Sequence, residues 1–137
     1  MIGSIIAILA LLGIIAAVHG TYDALAVLRA SALQAGGDTE TGTGIELGPT
    51  AIVKAIAHVT VVESGATLTA HLEGSETVDG SYYDIPGGAF LDPTDGAIID
   101  STGQYEIYVK TDFEFIRVVG VVATDDITWE CFLTTAD

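Results

Sequence analysis

The apolar positions of this chain follow two different rules, and the change from one to the other falls near residue 45. From Met1 to Gly20, MIGSIIAILALLGIIAAVHG, they are nearly continuous and uncharged; Asp23 is the first acid and Arg29 the first base. About twenty such residues in a helix reach roughly 30 Å, the thickness of a bilayer's hydrocarbon core. A helix apolar on every side has to be buried in lipid or in protein. Its small residues, Gly3, Ala7, Ala10, Gly13, Ala17 and Gly20, recur every three or four positions and form a stripe along which helices can pack closely. Val18-His19-Gly20 would serve as a signal-peptide cleavage site, but no Lys or Arg precedes the apolar core. The stretch therefore reads as a membrane span or as an assembly helix buried among neighbouring subunits.

Thr21–Gln34, TYDALAVLRASALQ, continues the helical spacing through Tyr22, Leu25, Leu28 and Ala32. Thr21 is a suitable N-cap and Gly36-Gly37 a stop. Residues 1–35 are thus expected to be helical, divisible at Gly20. Residues 36–44, GGDTETGTG, have the composition of a linker and mark the expected domain boundary.

From Ile45 the period becomes two, and 45–137 is expected to be an antiparallel β-sandwich or jelly roll. Val53, Ala55, Ala57, Val59 and Val61 share one face of Ala51–Glu63; Leu68, Ala70 and Leu72 share one face of Ala66–Glu73. Tyr105, Ile107 and Val109 line up in Gln104–Lys110, and Glu114–Ala123 and Ile127–Thr134 are two more strands, turning at Thr124-Asp125-Asp126. Residues 74–103 read as a loop-rich excursion with short strands near Tyr82–Ile85 and Ala97–Ile99. The predicted fold is mainly β, preceded by a long hydrophobic N-terminal helix.

Charge narrows the partners. Four Lys and Arg against 19 Asp and Glu leave a net charge of -15 in 137 residues. Such a surface repels nucleic-acid phosphates, so no nucleic-acid partner is expected. It also repels anionic headgroups, so any lipid contact would run through residues 1–20. Scarce lysine with many acids fits a high-salt source, where ions screen the repulsion. Half the residues are hydrophobic, which argues against disorder.

Candidate chemistry is sparse. Cys131, the single cysteine, alternates with Ile127, Trp129 and Leu133 on one strand face and reads as a buried, inert thiol. His58 and His71 could be cross-strand neighbours able to share a metal, although strand histidines more often face solvent. Asp92, Asp95 and Asp100 in LDPTDGAIID offer closely spaced oxygens for Ca²⁺, but the twelve-residue calcium-loop pattern is missing and Asp and Gly are good turn formers. No HExxH, CxxC, phosphate loop or recognisable Ser-His-Asp setting occurs in the sequence. No enzyme activity and no cofactor are expected.

Three stretches, TYDALAVL, LTAHLEGSETVDGSYYDIP and YEIYVKTDFEFIRVVGVVATDDITWECFL, resemble tailed-phage virion structural proteins of the small β-sandwich kind that decorate or cement capsids. The shared features are an LxGS-type strand leading into an Asp-Gly turn, and an aromatic-Ile-Arg-Val segment at Phe115–Val118. Such proteins usually start near the TYDA segment, so the apolar stretch ahead of it is a departure. The resemblance implies a non-enzymatic, self-associating protein of a virion, with other virion proteins as partners. The alternatives are an extracellular pilin-like filament subunit with helices bundled in its core, or a membrane-anchored carbohydrate-binding module using Tyr82, Tyr83 and Phe90.

Overall fold

The computed structural model describes residues 24–47, 51–92 and 98–134. The stretch 1–20, with Gly3, Ala7, Ala10, Gly13, Ala17 and Gly20, lies outside them. Among the described residues the secondary structure is β throughout, in nine strands: β1 (Ala24–Gln34), β2 (Thr39–Thr41), β3 (Ile45–Glu46), β4 (Ala51–Val62), β5 (Thr67–Ser75), β6 (Tyr83–Phe90), β7 (Gly103–Thr111), β8 (Phe115–Ala123) and β9 (Ile127–Thr134). One sheet has the order β1-β9-β4-β7; the other has β2-β8-β5-β6, with β3 also on β8.

All pairings between these strands are antiparallel, and four of them are nested: β1 with β9, β2 with β8, β4 with β7, β5 with β6. The chain behaves as one long folded-back ribbon rolled into two facing sheets. The core between the sheets is built from the inward positions of every long strand, among them Val53, Ala55, Ala57 and Val59 of β4, Leu68, Ala70 and Leu72 of β5, and Ile127, Trp129, Cys131 and Leu133 of β9. These are the faces that the period-two alternation assigned. Val61 departs from its group: β4 and β9 shift register between Thr128 and Trp129, which turns Val61 outward.

The expected helix over Thr21–Gln34 is corrected: Ala24–Gln34 is an edge strand. Eleven residues of β1 face eight of β9, at three register shifts. Bulges of this kind break strict alternation, so the spacing of Leu25, Leu28 and Ala32 imitates a helix. Pairing with β9 and burial of Leu28 then override a modest helical propensity. The expected linker and boundary at 36–44 are corrected as well. Thr39–Thr41 pairs with Val119–Val121, and the Gly37 amide donates to Val122 O at 2.7 Å. Residues 24–47 therefore belong to the sandwich, with β1 in one sheet and β2 and β3 in the other. In the 74–103 excursion, β6 is a full eight-residue strand, whereas Ile99 makes only an isolated bridge to Leu68.

The crossing from β1 to β2 is anchored by a buried polar cluster. Trp129 is fully buried, and its Nε1 donates to Gln34 Oε1 at 2.9 Å. Gln34 Nε2 donates in turn to Gly120 O and Asp38 O, each at 2.9 Å. Position 120 has no room for a side chain, since a Cβ there would lie 2.4 Å from Trp129 Cζ2. Arg29 covers the indole from the other side, 4.7 Å from its centroid, and reaches Glu40 Oε1 of β2 at 2.8 Å.

Two substitutions test this anchor by chemical denaturation. Gly120→Ala should lower stability by about 1–3 kcal/mol through overpacking. Gln34→Leu should cost about 1–3 kcal/mol by orphaning the buried indole N–H. A stability unchanged in both would show that the cluster is not what holds the crossing.

Candidate functional site

The densest set of interacting polar side chains among the described residues lies on the outer face of the β2-β8-β5-β6 sheet. Alternation along β5 sends Leu68, Ala70 and Leu72 inward, and His71 and Glu73 outward. Arg117 stands opposite Glu73 on β8. Its Nε and Nη2 lie 2.9 and 2.7 Å from Glu73 Oε1. The other oxygen, Glu73 Oε2, is 3.2 Å from His71 Nε2. Asp84 Oδ1 approaches the same nitrogen at 3.4 Å.

Asp84 arrives there because β6 is bulged. His71 pairs with Ala89, and Glu73 pairs with Asp84, so Leu72 alone faces the four residues Ile85-Pro86-Gly87-Gly88. Ile85 turns into the core, and Gly87 takes φ +77°, a left-handed conformation suited to glycine. The excursion brings the strand back with Asp84 level with Glu73. Tyr82, just before β6, lies flat over the Arg117 guanidinium at 3.8 Å, with its hydroxyl donating to Val78 O at 2.9 Å.

Electrostatics follow the contacts. Burial pushes the Glu73 pKa upward, but hydrogen bonds from Arg117 and His71, with their charges, outweigh it and hold the carboxyl below its ordinary value. At the neighbouring edge, Glu114 is shifted upward, first by a hydrogen bond shared with Glu46, then by desolvation and by the charges of Glu46 and Glu76. Burial likewise pushes up the Cys131 thiol, which lies in the core as a poor nucleophile.

A pairing of His58 with His71 does not form. β4 and β5 are consecutive but lie in different sheets, because the turn through Gly65 crosses the sandwich instead of closing a hairpin. His58 Nδ1 faces Glu130 Oε2 at 3.1 Å instead. Of the three calcium candidates, Asp92 is buried, Asp100 is exposed, and Asp95 lies outside the described residues. The aromatic platform is not assembled either: Phe90 is core, Tyr82 covers Arg117, and Tyr83 stacks on Phe113 at 6.3 Å.

Sequence reasoning singled out His71 but neither Glu73 nor Asp84 as its partners. The spacing His71-x-Glu73 on an alternating strand was a usable signal, since it places both on one face. Asp84 had no such signal, because its position depends on the bulge. Comparison with family models, curated proteins and solved structures found no match to this chain.

Glu73 makes stability depend on pH in a defined direction. Its folded pKa is depressed, so its contribution is full above the unfolded value of about 4.3 and is lost as pH falls through the lower folded value. Glu73→Gln should cost about 1–3 kcal/mol at pH 7, and the gap to wild type should shrink as the pH is lowered from 7 through about 4.3 and below. Denaturation midpoints measured across that range with a chelator present check this; a gap independent of pH would contradict it.

Proposed function

We propose that this chain is a structural subunit of a viral particle, with its β-sandwich forming or decorating the shell. The nested strand pairing carries the reading. It is the order expected when a long antiparallel ribbon rolls into an eight-stranded, two-sheet jelly roll, here with the two-residue β3 as an addition. Capsid proteins use that architecture, as do lectins and cupins. The resemblance of TYDALAVL, LTAHLEGSETVDGSYYDIP and the C-terminal stretch to capsid-decorating proteins favours the first of these.

The outer face of the β1-β9-β4-β7 sheet supports self-association. Val27, Leu33, Ile52 and Tyr108 are exposed there, with Ile52 at 63%. Ile56 and Phe132 face the same side and are buried outside the main core, and the Lys54–Glu106 and His58–Glu130 pairs lie on that face too. Exposed apolar side chains set among mutually neutralising pairs, on a chain of net charge -15, are suited to contact with a second copy. Residues 1–20 then supply a second attachment, in lipid or among neighbouring subunits.

The test is to purify the full chain and follow its mass and appearance by light scattering and electron microscopy, at low and high salt. Closed shells or rings are expected. Leu33→Glu, at a position opposite Thr128, should raise the dissociation constant for assembly about tenfold or more, because the contact would bury an unpaired charge. A chain that stays monomeric in both salts overturns the reading. Thin filaments would replace it with the pilin-like alternative.

A further inference from the structure

We propose that His71, Glu73 and Asp84 form a binding site for a divalent transition-metal ion of the Zn²⁺ class. Three observations converge on it. First, one ligand atom from each residue, His71 Nε2, Glu73 Oε2 and Asp84 Oδ1, falls within a group 4.8 Å across. Second, two of the three separations suit coordination, and the exposed Asp84 can swing in to close the third, between the carboxylate oxygens, from up to 4.8 Å. Zn²⁺ bonds of about 2.1 Å in tetrahedral geometry place neighbouring ligand atoms about 3.4 Å apart. The His71 nitrogen stands 3.2 Å from Glu73 Oε2 and 3.4 Å from Asp84 Oδ1. Third, both carboxylate oxygens approach the same imidazole nitrogen. A shared N–H gives each oxygen only part of a hydrogen bond, whereas a cation on the Nε2 lone pair binds both oxygens fully.

The surroundings fit this role. Arg117 holds Glu73 by Oε1 alone, leaving Oε2 for the ion and fixing the carboxylate's orientation. One nitrogen with two carboxylate oxygens suits Zn²⁺ better than Ca²⁺ or Mg²⁺, which prefer all-oxygen shells. Two carboxylates and one Arg leave a local charge of about minus one with neutral imidazole, which favours a cation. Asp84 is 83% exposed in its side chain, so the remaining coordination position opens to solvent. The site is built within one sheet face and does not depend on the shell reading.

The experiment is calorimetric titration of the chelator-stripped full chain with ZnCl₂ at pH 7.5. About 0.5 M NaCl and excess Mg²⁺ suppress diffuse binding to the acidic surface. One equivalent should bind with a dissociation constant of about 10 μM or tighter. His71→Asn and Asp84→Asn should each weaken binding about tenfold or more. Asp84 is exposed, so that variant keeps the fold, and circular dichroism verifies it. His58→Asn removes a histidine that meets a single carboxylate and should leave the affinity unchanged. Absence of saturable binding below about 1 mM overturns the proposal. So does equal affinity in wild type, His71→Asn and Asp84→Asn, or a loss in His58→Asn as large as that in His71→Asn.

Discussion

The sandwich depends on the seating of one indole. Trp129 occupies the core where β1 leaves one sheet to begin β2 in the other, and a Trp can be buried there only if its N–H has an acceptor. Gln34 supplies that acceptor and spends its own amide on Gly120 O and Asp38 O. One side chain thus joins β1, β9, β8 and the turn into β2. Removing any member leaves a polar group stranded in a low-dielectric interior, which is why the cluster holds this crossing in one geometry.

With that crossing fixed, the nested pairing follows. β1 lies on β9 and β2 on β8, so the next strands in from each end must pair in the same manner until the ribbon closes at β5 and β6. The result has two unlike outer faces. One exposes Val27, Leu33, Ile52 and Tyr108 around the Lys54–Glu106 and His58–Glu130 pairs. The other carries the charged group of His71, Glu73, Asp84 and Arg117 under Tyr82. In a chain with so few cations, Arg29 and Arg117 both sit where they neutralise a glutamate and cover an aromatic ring. Such placement limits self-repulsion at the points where the sheets or loops meet.

The charged face shows how a bulge creates chemistry. An unbroken β5–β6 ladder would keep Asp84 away from His71. Four residues of β6 opposite Leu72 shorten the path and aim a third ligand at the histidine. Bulges are a common way for sheets to re-aim a side chain, and here the same excursion also seats Ile85 in the core beneath.

Much of the fold was legible in the residues themselves. Period-two alternation located β4, β5, β7, β8 and β9, with the inward faces of β5 and β9 and the turn at Thr124-Asp125-Asp126, because burial of one sheet face imposes that period directly. The same logic put Cys131 in the core. Sequence alone could not show that Ala24–Gln34 is a strand, since three register shifts scramble its alternation into a helical spacing and only the partner strand β9 resolves it. Nor could it separate a hairpin from a sheet crossing at Gly65, or place Asp84 beside His71. Those outcomes depend on which strands pair and where they slip, and pairing is a property of distant segments meeting.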